Sequence, residues 1–210
     1  MKTDELIMAL AADTLPQKSV LQRLARALPI AMGISVAAFA LFWGPRSDIW
    51  AALGSAAVLK TVLPLGLVAL SGALAVALAR PGARHGYRSA ALGLLVVLVV
   101  AAFFTALAQA GLGGLVAALS TPLLVTCLLS IPVLALPFLA AVFWGLSAGA
   151  ALHPRLTGAA GGLMAGGLAA SVYSIYCDKD MVLFVLPAYS AAIMSISLLG
   201  AILGPRLLKW

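Results

Sequence analysis

Residues 89–108 read SAALGLLVVLVVAAFFTALA, a run of twenty residues that contains no charged side chain. An α-helix rises 1.5 Å per residue, so a helix of this length spans about 30 Å, the thickness of the hydrocarbon core of a bilayer. The stretch therefore predicts a helix that crosses a membrane.

The rest of the chain has the same apolar character. Of its 210 residues, 64% are hydrophobic and 9% are charged, whereas a soluble domain is roughly half apolar and a quarter charged. The composition excludes a mainly water-soluble protein and predicts an all-α, polytopic membrane protein, a bundle of six transmembrane helices. We place the six spans at residues 28–43, 58–79, 89–108, 122–147, 156–175 and 181–203.

Proline and glycine residues separate the apolar runs, because proline lacks a backbone donor and glycine tolerates positive φ. We expect turns at Pro45, Pro81-Gly82, residues 111–114, His153-Pro154 and residues 178–180. The fourth run is a candidate for a break, since it contains Pro122, Pro132 and Pro137.

The basic residues predict the orientation, because Lys and Arg near span ends are retained on the cytoplasmic side. With the N-terminus inside, ten of the 13 basic residues are cytoplasmic, and the acidic residues divide evenly between the two sides. The cytoplasmic set is Lys2, Lys18, Arg23, Arg26, Arg80, Arg84, Arg88, Arg155, Arg206 and Lys209, and the outer set is Arg46, Lys60 and Lys179. We therefore expect a bacterial inner-membrane protein with both termini in the cytoplasm, and we do not take the net charge of +7 as a sign of nucleic-acid binding.

Lys60 is a basic residue close to the start of an apolar run, the second span. Its ammonium group can pair with an acid, line a cavity or extend to the outer headgroups. We expect the last arrangement, in which the aliphatic stem stays in lipid while the charge reaches water.

Gly158, Gly162 and Gly166 recur at four-residue spacing in the fifth span, and Ala170 continues the series. These small residues form one face of a helix, against which another helix can pack closely. We expect this face to pack within the bundle; the alternative is a homodimer interface.

The chain has two cysteines, Cys127 in the fourth span and Cys177 after the fifth. The predicted topology places both toward the outer side of the membrane. They can be soft buried residues, a structural disulfide, a redox switch, or a soft-metal site that also uses Asp178 or Asp180.

A catalytic function is not expected. Neither cysteine belongs to a C-x-x-C motif, and the two histidines, His85 and His153, fall in turns on the opposite side of the membrane. We find no cofactor motif. One candidate function is that of a small-solute or metal transporter, which predicts an inverted repeat and a polar cavity at mid-membrane.

The N-terminal segment, residues 1–26, is the one polar stretch long enough to meet a soluble partner, and we separate it from a membrane domain at 27–210. The segment has no cleavable-signal pattern, because acidic residues precede the first apolar run. Thr3 can cap a helix on which Leu6, Ile7 and Leu10 form an apolar stripe. Such a short helix is marginal in water, so we expect it to fold on a partner, on the headgroups or on its own bundle.

Together these residues resemble the NrsF-type family of membrane anti-sigma factors over nearly the whole chain. The resemblance is carried by the opening MKTDELI, LAAD at 10–13, the six spans, the two cysteines, the Cys-Asp-x-Asp loop and the ending RLLKW. Members of the family often have an aromatic pair early in the sixth span, where this chain reads Pro187-Ala188-Tyr189.

The resemblance implies a protein that holds an extracytoplasmic-function (ECF) sigma factor at the inner membrane and releases it on a periplasmic redox or metal stress. Carried over by position, the signal-sensing residues are Cys127 and Cys177, with Asp178 and Asp180 in the same loop. The residues implied in sigma binding are Lys2, Asp4, Leu6, Ile7, Leu10 and Asp13.

Overall fold

The computed structural model describes Thr3, Met8 and residues 19–208, and in the 19–208 range it contains seven α-helices and one short 3₁₀ helix. The helices are α1 (Val20–Phe42), α2 (Ile49–Leu53), α3 (Leu59–Leu78), α4 (Gly86–Leu119), α5 (Leu123–Leu146), α6 (Pro154–Tyr173) and α7 (Val182–Leu207), and the 3₁₀ helix Ala56–Val58 precedes α3. Six helices of this described part, all except α2, are long and apolar enough to cross a membrane. The predicted all-α, six-span fold is confirmed.

The first helix begins earlier than we predicted, at Val20 and not at residue 28. Ser19 caps it: the Ser19 hydroxyl accepts a hydrogen bond from the Gln22 backbone N–H, and the Gln22 side chain accepts one from the Ser19 N–H. This capping box satisfies two donors at the helix start. Arg23 and Arg26 therefore lie on the first turns of α1, and the stretch that precedes the helix ends at residue 19.

Two predicted interruptions differ in the structure. The turn expected at residues 111–114 is a local kink, since only Gly111 departs from helical angles (φ 68°, ψ 177°) and α4 continues to Leu119. The positive φ is one that glycine adopts without steric cost. In the fourth span, α5 is a continuous helix through Pro132 and Pro137.

Helix α6 lies at the centre of the bundle and packs against α3, α5 and α7, while α1 packs on α5 and α4 lies on the outside against α7 and α3. The small residues of α6 permit this position because they let neighbouring backbones approach closely. A methyl group added at Gly162 would meet the Ser197 Cα atom at 2.7 Å, and one added at Gly166 would meet the Ile193 Cα atom at 3.2 Å. The glycine face that includes Gly158 therefore lies against α7 inside the protomer and is covered there.

We expect Gly162→Ala to destabilise the protein by about 1–3 kcal/mol, the usual cost of adding atoms to a tightly packed interface. Thermal unfolding in detergent measures the effect as a lower Tm. Gly93→Ala is the matched control, because nothing lies within 4 Å of a methyl group added there and the residue is exposed on α4. Equal Tm values for the two variants would contradict the close packing of α6 on α7.

Candidate functional site

The two cysteines meet at one end of the bundle. Cys127 lies near the start of α5, and Cys177 lies in the Cys177 loop, residues 174–181 between α6 and α7. Both are free thiols and both are fully buried. Their side chains lie close to each other. The arrangement is a buried dithiol, formed by two residues that are fifty positions apart in the chain.

Tyrosine side chains enclose the dithiol. The Cys127 sulfur and the Tyr173 hydroxyl are in hydrogen-bond contact at 3.5 Å, and the Tyr173 ring lies 5.6 Å from the ring of Tyr176 and 6.2 Å from that of Tyr189. The Tyr189 hydroxyl is buried, has no hydrogen-bond partner among the described residues, and lies near the Cys177 thiol. The enclosure keeps water and bulky molecules from the sulfur atoms.

A charge cluster lies beside the dithiol and consists of Arg46, Asp48, Lys60 and Asp180. The Arg46 guanidinium donates to the Asp48 carboxylate at 2.6 Å and to the Asp180 carboxylate at 3.1 Å. The Lys60 ammonium pairs with the same Asp180 carboxylate at 2.5 Å. The side chains of Arg46 and Lys60 are only 8% and 6% exposed, so each buried cation has the anionic partner that burial requires.

The same two cations hold the backbone at Cys177. Its carbonyl oxygen accepts hydrogen bonds from Arg46 Nη1, at 3.2 Å, and from Lys60 Nζ. The Arg46 backbone N–H also donates to the Ile175 carbonyl at 3.0 Å. The charge cluster therefore ties the Cys177 loop to the segment that follows α1 and to the first turn of α3.

This environment changes the proton affinity of the loop residues. The hydrogen bond from Cys127 lowers the pKa of the Cys177 thiol, and the positive charge of Lys60 acts in the same direction, against the opposing effect of burial. For Asp180, burial acts to raise the pKa, but the hydrogen bonds from Arg46 and Lys60 outweigh it and the pKa is lowered. Asp180 is therefore ionised at neutral pH, and Cys177 loses its proton more readily than an ordinary cysteine.

The expectation that Lys60 extends to the outer headgroups is wrong. Its side chain is buried, because Asp180 and the Cys177 carbonyl lie within reach of the ammonium group. Pairing, one of the two other arrangements, is the one observed.

The four predicted sensing residues do not form a single ligand set. Asp178 is exposed, and Asp180 is bound by Arg46 and Lys60. Among the residues that the structure describes, no group of three or more His, Cys, Asp or Glu side chains could hold a metal ion. A soft metal at this site would therefore depend on the two thiols. The N-terminal residues predicted to bind a partner, Lys2, Asp4, Leu6, Ile7, Leu10 and Asp13, lie outside the described residues.

The sequence analysis missed Arg46, Asp48, Tyr173 and Tyr189 as parts of the site. One signal was available in the two predicted outer loops. The loop before α3 contains Arg46 and Asp48, and the loop after α6 contains Lys179 and Asp180. Charges of opposite sign in two loops at one membrane face favour pairing. The tyrosines gave no such signal, because the order of residues along a helix does not show which side chains of other helices an aromatic ring contacts.

Comparison with known proteins places the chain among regulators. The family model described as "Negative regulator of sigma F" (NrsF) matches residues 9–210. The anti-sigma-F factor NrsF of Caulobacter vibrioides is 33% identical over 217 aligned positions, and the probable anti-sigma-F factor NrsF of Azospira oryzae is 31% identical over 217. Each alignment covers 100% of both chains. No solved structure matches the chain significantly.

The pKa of Cys177 gives a test of the dithiol contact. Cys127→Ser and Cys127→Ala both leave Cys177 as the one cysteine, but only serine retains a hydrogen-bond donor. We expect the ultraviolet absorbance of the Cys177 thiolate, which needs no reagent to enter the site, to reach half its maximum at a lower pH in Cys127→Ser than in Cys127→Ala, because the donor stabilises the thiolate. The same midpoint in both variants would show that Cys127 does not donate to Cys177.

Proposed function

This chain belongs to the NrsF family of negative regulators of sigma F, and we propose that it holds an ECF sigma factor at the inner membrane and releases it when a periplasmic signal reaches Cys127 and Cys177. The chain is an anti-sigma factor by family, as the names of both full-length relatives state of those proteins. The observation that carries the sensing step is the buried dithiol, held by the charge cluster next to the end of α1.

The dithiol supports two kinds of signal. An oxidant such as hydrogen peroxide takes two electrons from the thiols, forms a Cys127–Cys177 disulfide and is reduced to two water molecules as the two thiol protons are transferred. A soft metal ion such as Cu⁺ displaces the protons and binds the two thiolates. Both reactions begin with a thiolate, and Cys177 is the thiol that deprotonates more readily.

Helix α1 supplies a route to the opposite side of the membrane. The Cys177 loop is bound to Arg46, four residues beyond the end of α1. From Phe42 the helix runs to Val20, a distance of about 34 Å at 1.5 Å per residue, and the N-terminal segment precedes it. Along this path α1 packs on α5, the helix that contains Cys127. A change in the dithiol therefore acts on α1 both through the loop and through α5.

The charge distribution supports the N-in, C-in orientation. Arg46 and Lys60, two of the predicted outer cations, are paired with Asp48 and Asp180. The described arginines at the other end, by contrast, have no acidic partner among the described residues. In this orientation the segment with Lys2, Asp4, Leu6, Ile7, Leu10 and Asp13 faces the cytoplasm and presents its apolar stripe to sigma. The dithiol faces the oxidising side.

The release step sets an energetic requirement. Moving a bound sigma factor from 99% held to 99% free requires the two states of the anti-sigma factor to differ in affinity by about 5.5 kcal/mol. The N-terminal segment must therefore differ in its availability between the two states of the dithiol.

The test of the function is purification of the detergent-solubilised chain from its host with and without residues 3–13, followed by identification of co-purifying proteins. We expect a sigma factor to accompany the intact chain and to be lost on deletion and in Leu6→Asp/Leu10→Asp, because both changes remove the apolar stripe. Lys18→Gln, outside the stripe, serves as the control and retains sigma. Absence of any sigma factor under both reducing and oxidising conditions would refute the proposal.

The route through Arg46 has a separate test. We expect Arg46→Gln and Cys127→Ser/Cys177→Ser to bind sigma but to release less than a tenth as much of it after hydrogen peroxide or Cu⁺ treatment, an about tenfold loss of response. Lys179→Gln is the control. It removes a cation from the Cys177 loop, and the Lys179 side chain forms no ion pair among the described residues. Co-purification of sigma before and after treatment measures the response, and thermal unfolding confirms that each variant is folded.

Release of sigma that persists in the double serine variant would refute the proposal that the two cysteines sense the signal. A normal response in Arg46→Gln, with the double serine variant unresponsive, would contradict only the transmission through the charge cluster.

A further inference from the structure

Two adjoining cavities lie at the end of the bundle opposite the charge cluster. The first, of about 620 Å³, is a cleft between α1 and α3 with Met164 of α6 on its lining, and its wall is apolar except at one end, where Arg80 and Arg88 lie. The second, of about 560 Å³, is a basic pocket in the turn between α3 and α4, lined by Arg84, His85 and Tyr87 among others. Both are also lined by Ala77, Arg80 and Ala83, so they form one continuous surface that is apolar along α3 and basic at its end.

The depth of the cleft matches one leaflet of a bilayer. Its wall on α3 extends from Val68 to Ala77, about 14 Å at 1.5 Å per residue, and Arg80 lies just beyond the end of the helix. Half of the hydrocarbon core is about 15 Å thick. An acyl chain that enters between α1 and α3 therefore places its headgroup at the level of the arginines.

The basic end lacks a described carboxylate. Of the acidic residues that the structure describes, two lie in the charge cluster at the opposite end and the third, Asp178, lies in the Cys177 loop. Arg88 is held in place there: its guanidinium stacks over the Tyr87 ring at 4.8 Å, and its Nη1 donates to the Arg84 carbonyl at 3.1 Å. The remaining N–H groups of Arg88 and those of Arg80 are suited to bind a phosphate, which guanidinium groups bind in bidentate geometry.

We propose that the cleft and the basic pocket together bind one anionic phospholipid, with an acyl chain between α1 and α3 and the phosphate on Arg80 and Arg88. Basic pockets between transmembrane helices bind anionic headgroups. A soluble anion would leave the apolar cleft unused, and a zwitterionic lipid would not balance the arginines. The chain's own N-terminal segment, which contains Asp4, Glu5 and Asp13, is the competing occupant, and its removal is part of the test.

The test is a titration of the detergent-solubilised full chain with fluorescent phosphatidylglycerol, with three unlabelled competitors: dioleoylphosphatidylglycerol, dioleoylphosphatidylcholine and glycerol 3-phosphate. We expect phosphatidylglycerol to compete about tenfold better than phosphatidylcholine. Glycerol 3-phosphate should not compete at the same concentrations, because it lacks the acyl chains.

Variants separate the two parts of the site. Arg80→Gln/Arg88→Gln should weaken phosphatidylglycerol binding about 25-fold, at roughly fivefold for each cation near a membrane surface. Arg155→Gln/Arg206→Gln, which removes two cations outside both cavities, is the matched control and should retain binding. Ala73→Leu, an exposed position in the cleft, should weaken both lipids, whereas Ala101→Leu on exposed α4 should weaken neither. Thermal unfolding checks that every variant is folded.

Equal binding of the two lipids would overturn the proposal, as would an Arg80→Gln/Arg88→Gln variant that keeps its preference for phosphatidylglycerol. Competition by glycerol 3-phosphate at lipid-like concentrations would identify a site for soluble phosphate instead. Binding that appears only after residues 1–18 are removed would mean that the N-terminal segment covers the cleft, and would also refute lipid as the occupant.

Discussion

Helices in a bilayer gain little hydrophobic free energy from one another, so this bundle depends on how closely the backbones of α6 and α7 approach. A methyl group at Gly158 would meet the carbonyl oxygen of Gly200, and one at Gly200 would meet that of Gly158. Ser197 adds a hydrogen bond across the same interface, to the Ala159 carbonyl at 3.1 Å. The Cys177 loop joins these two helices directly, so their contact determines where Cys177 lies, and the position of α6 in turn places α5 and Cys127 beside it.

The charge cluster performs a different task from the helix packing. Two cations and two carboxylates at an apolar end sum to zero net charge, and each buried cation has an anion within hydrogen-bond distance. Such pairs contribute less to stability than to fixing one arrangement, because desolvation offsets much of their attraction. Here the fixed arrangement joins the segment after α1, the start of α3 and the Cys177 loop, three parts of the chain that the close packing of α6 and α7 does not connect.

The sequence was sufficient to predict the helices because the hydropathy of a span is a local property. Residues 89–108 indicate a membrane-spanning helix without knowledge of the helices that contact them. The N-cap of α1 could also have been predicted, since Ser19 and Gln22 have capping-box spacing. The prediction used only the apolar run, and so it placed the start of the helix too late. The partner of Lys60 could not be predicted, because Asp180 lies 120 residues further along the chain and only the folded bundle brings the two side chains together. The predicted topology placed both cysteines at one end of the bundle. It could not show that Tyr173 and Tyr189 pack beside them, because that contact also depends on the folded bundle.

Helix α4 differs from the other spans in a way that bears on the host membrane. Its 34 residues would extend about 51 Å as one straight helix, well beyond a bilayer core of about 30 Å, and no residue in its most apolar window is fully buried by the rest of the protein. The kink at Gly111 turns the last part away from the axis of the first. Hydrophobic mismatch is commonly relieved by tilting or kinking, so adjustment to a thinner or thicker bilayer falls on this peripheral helix.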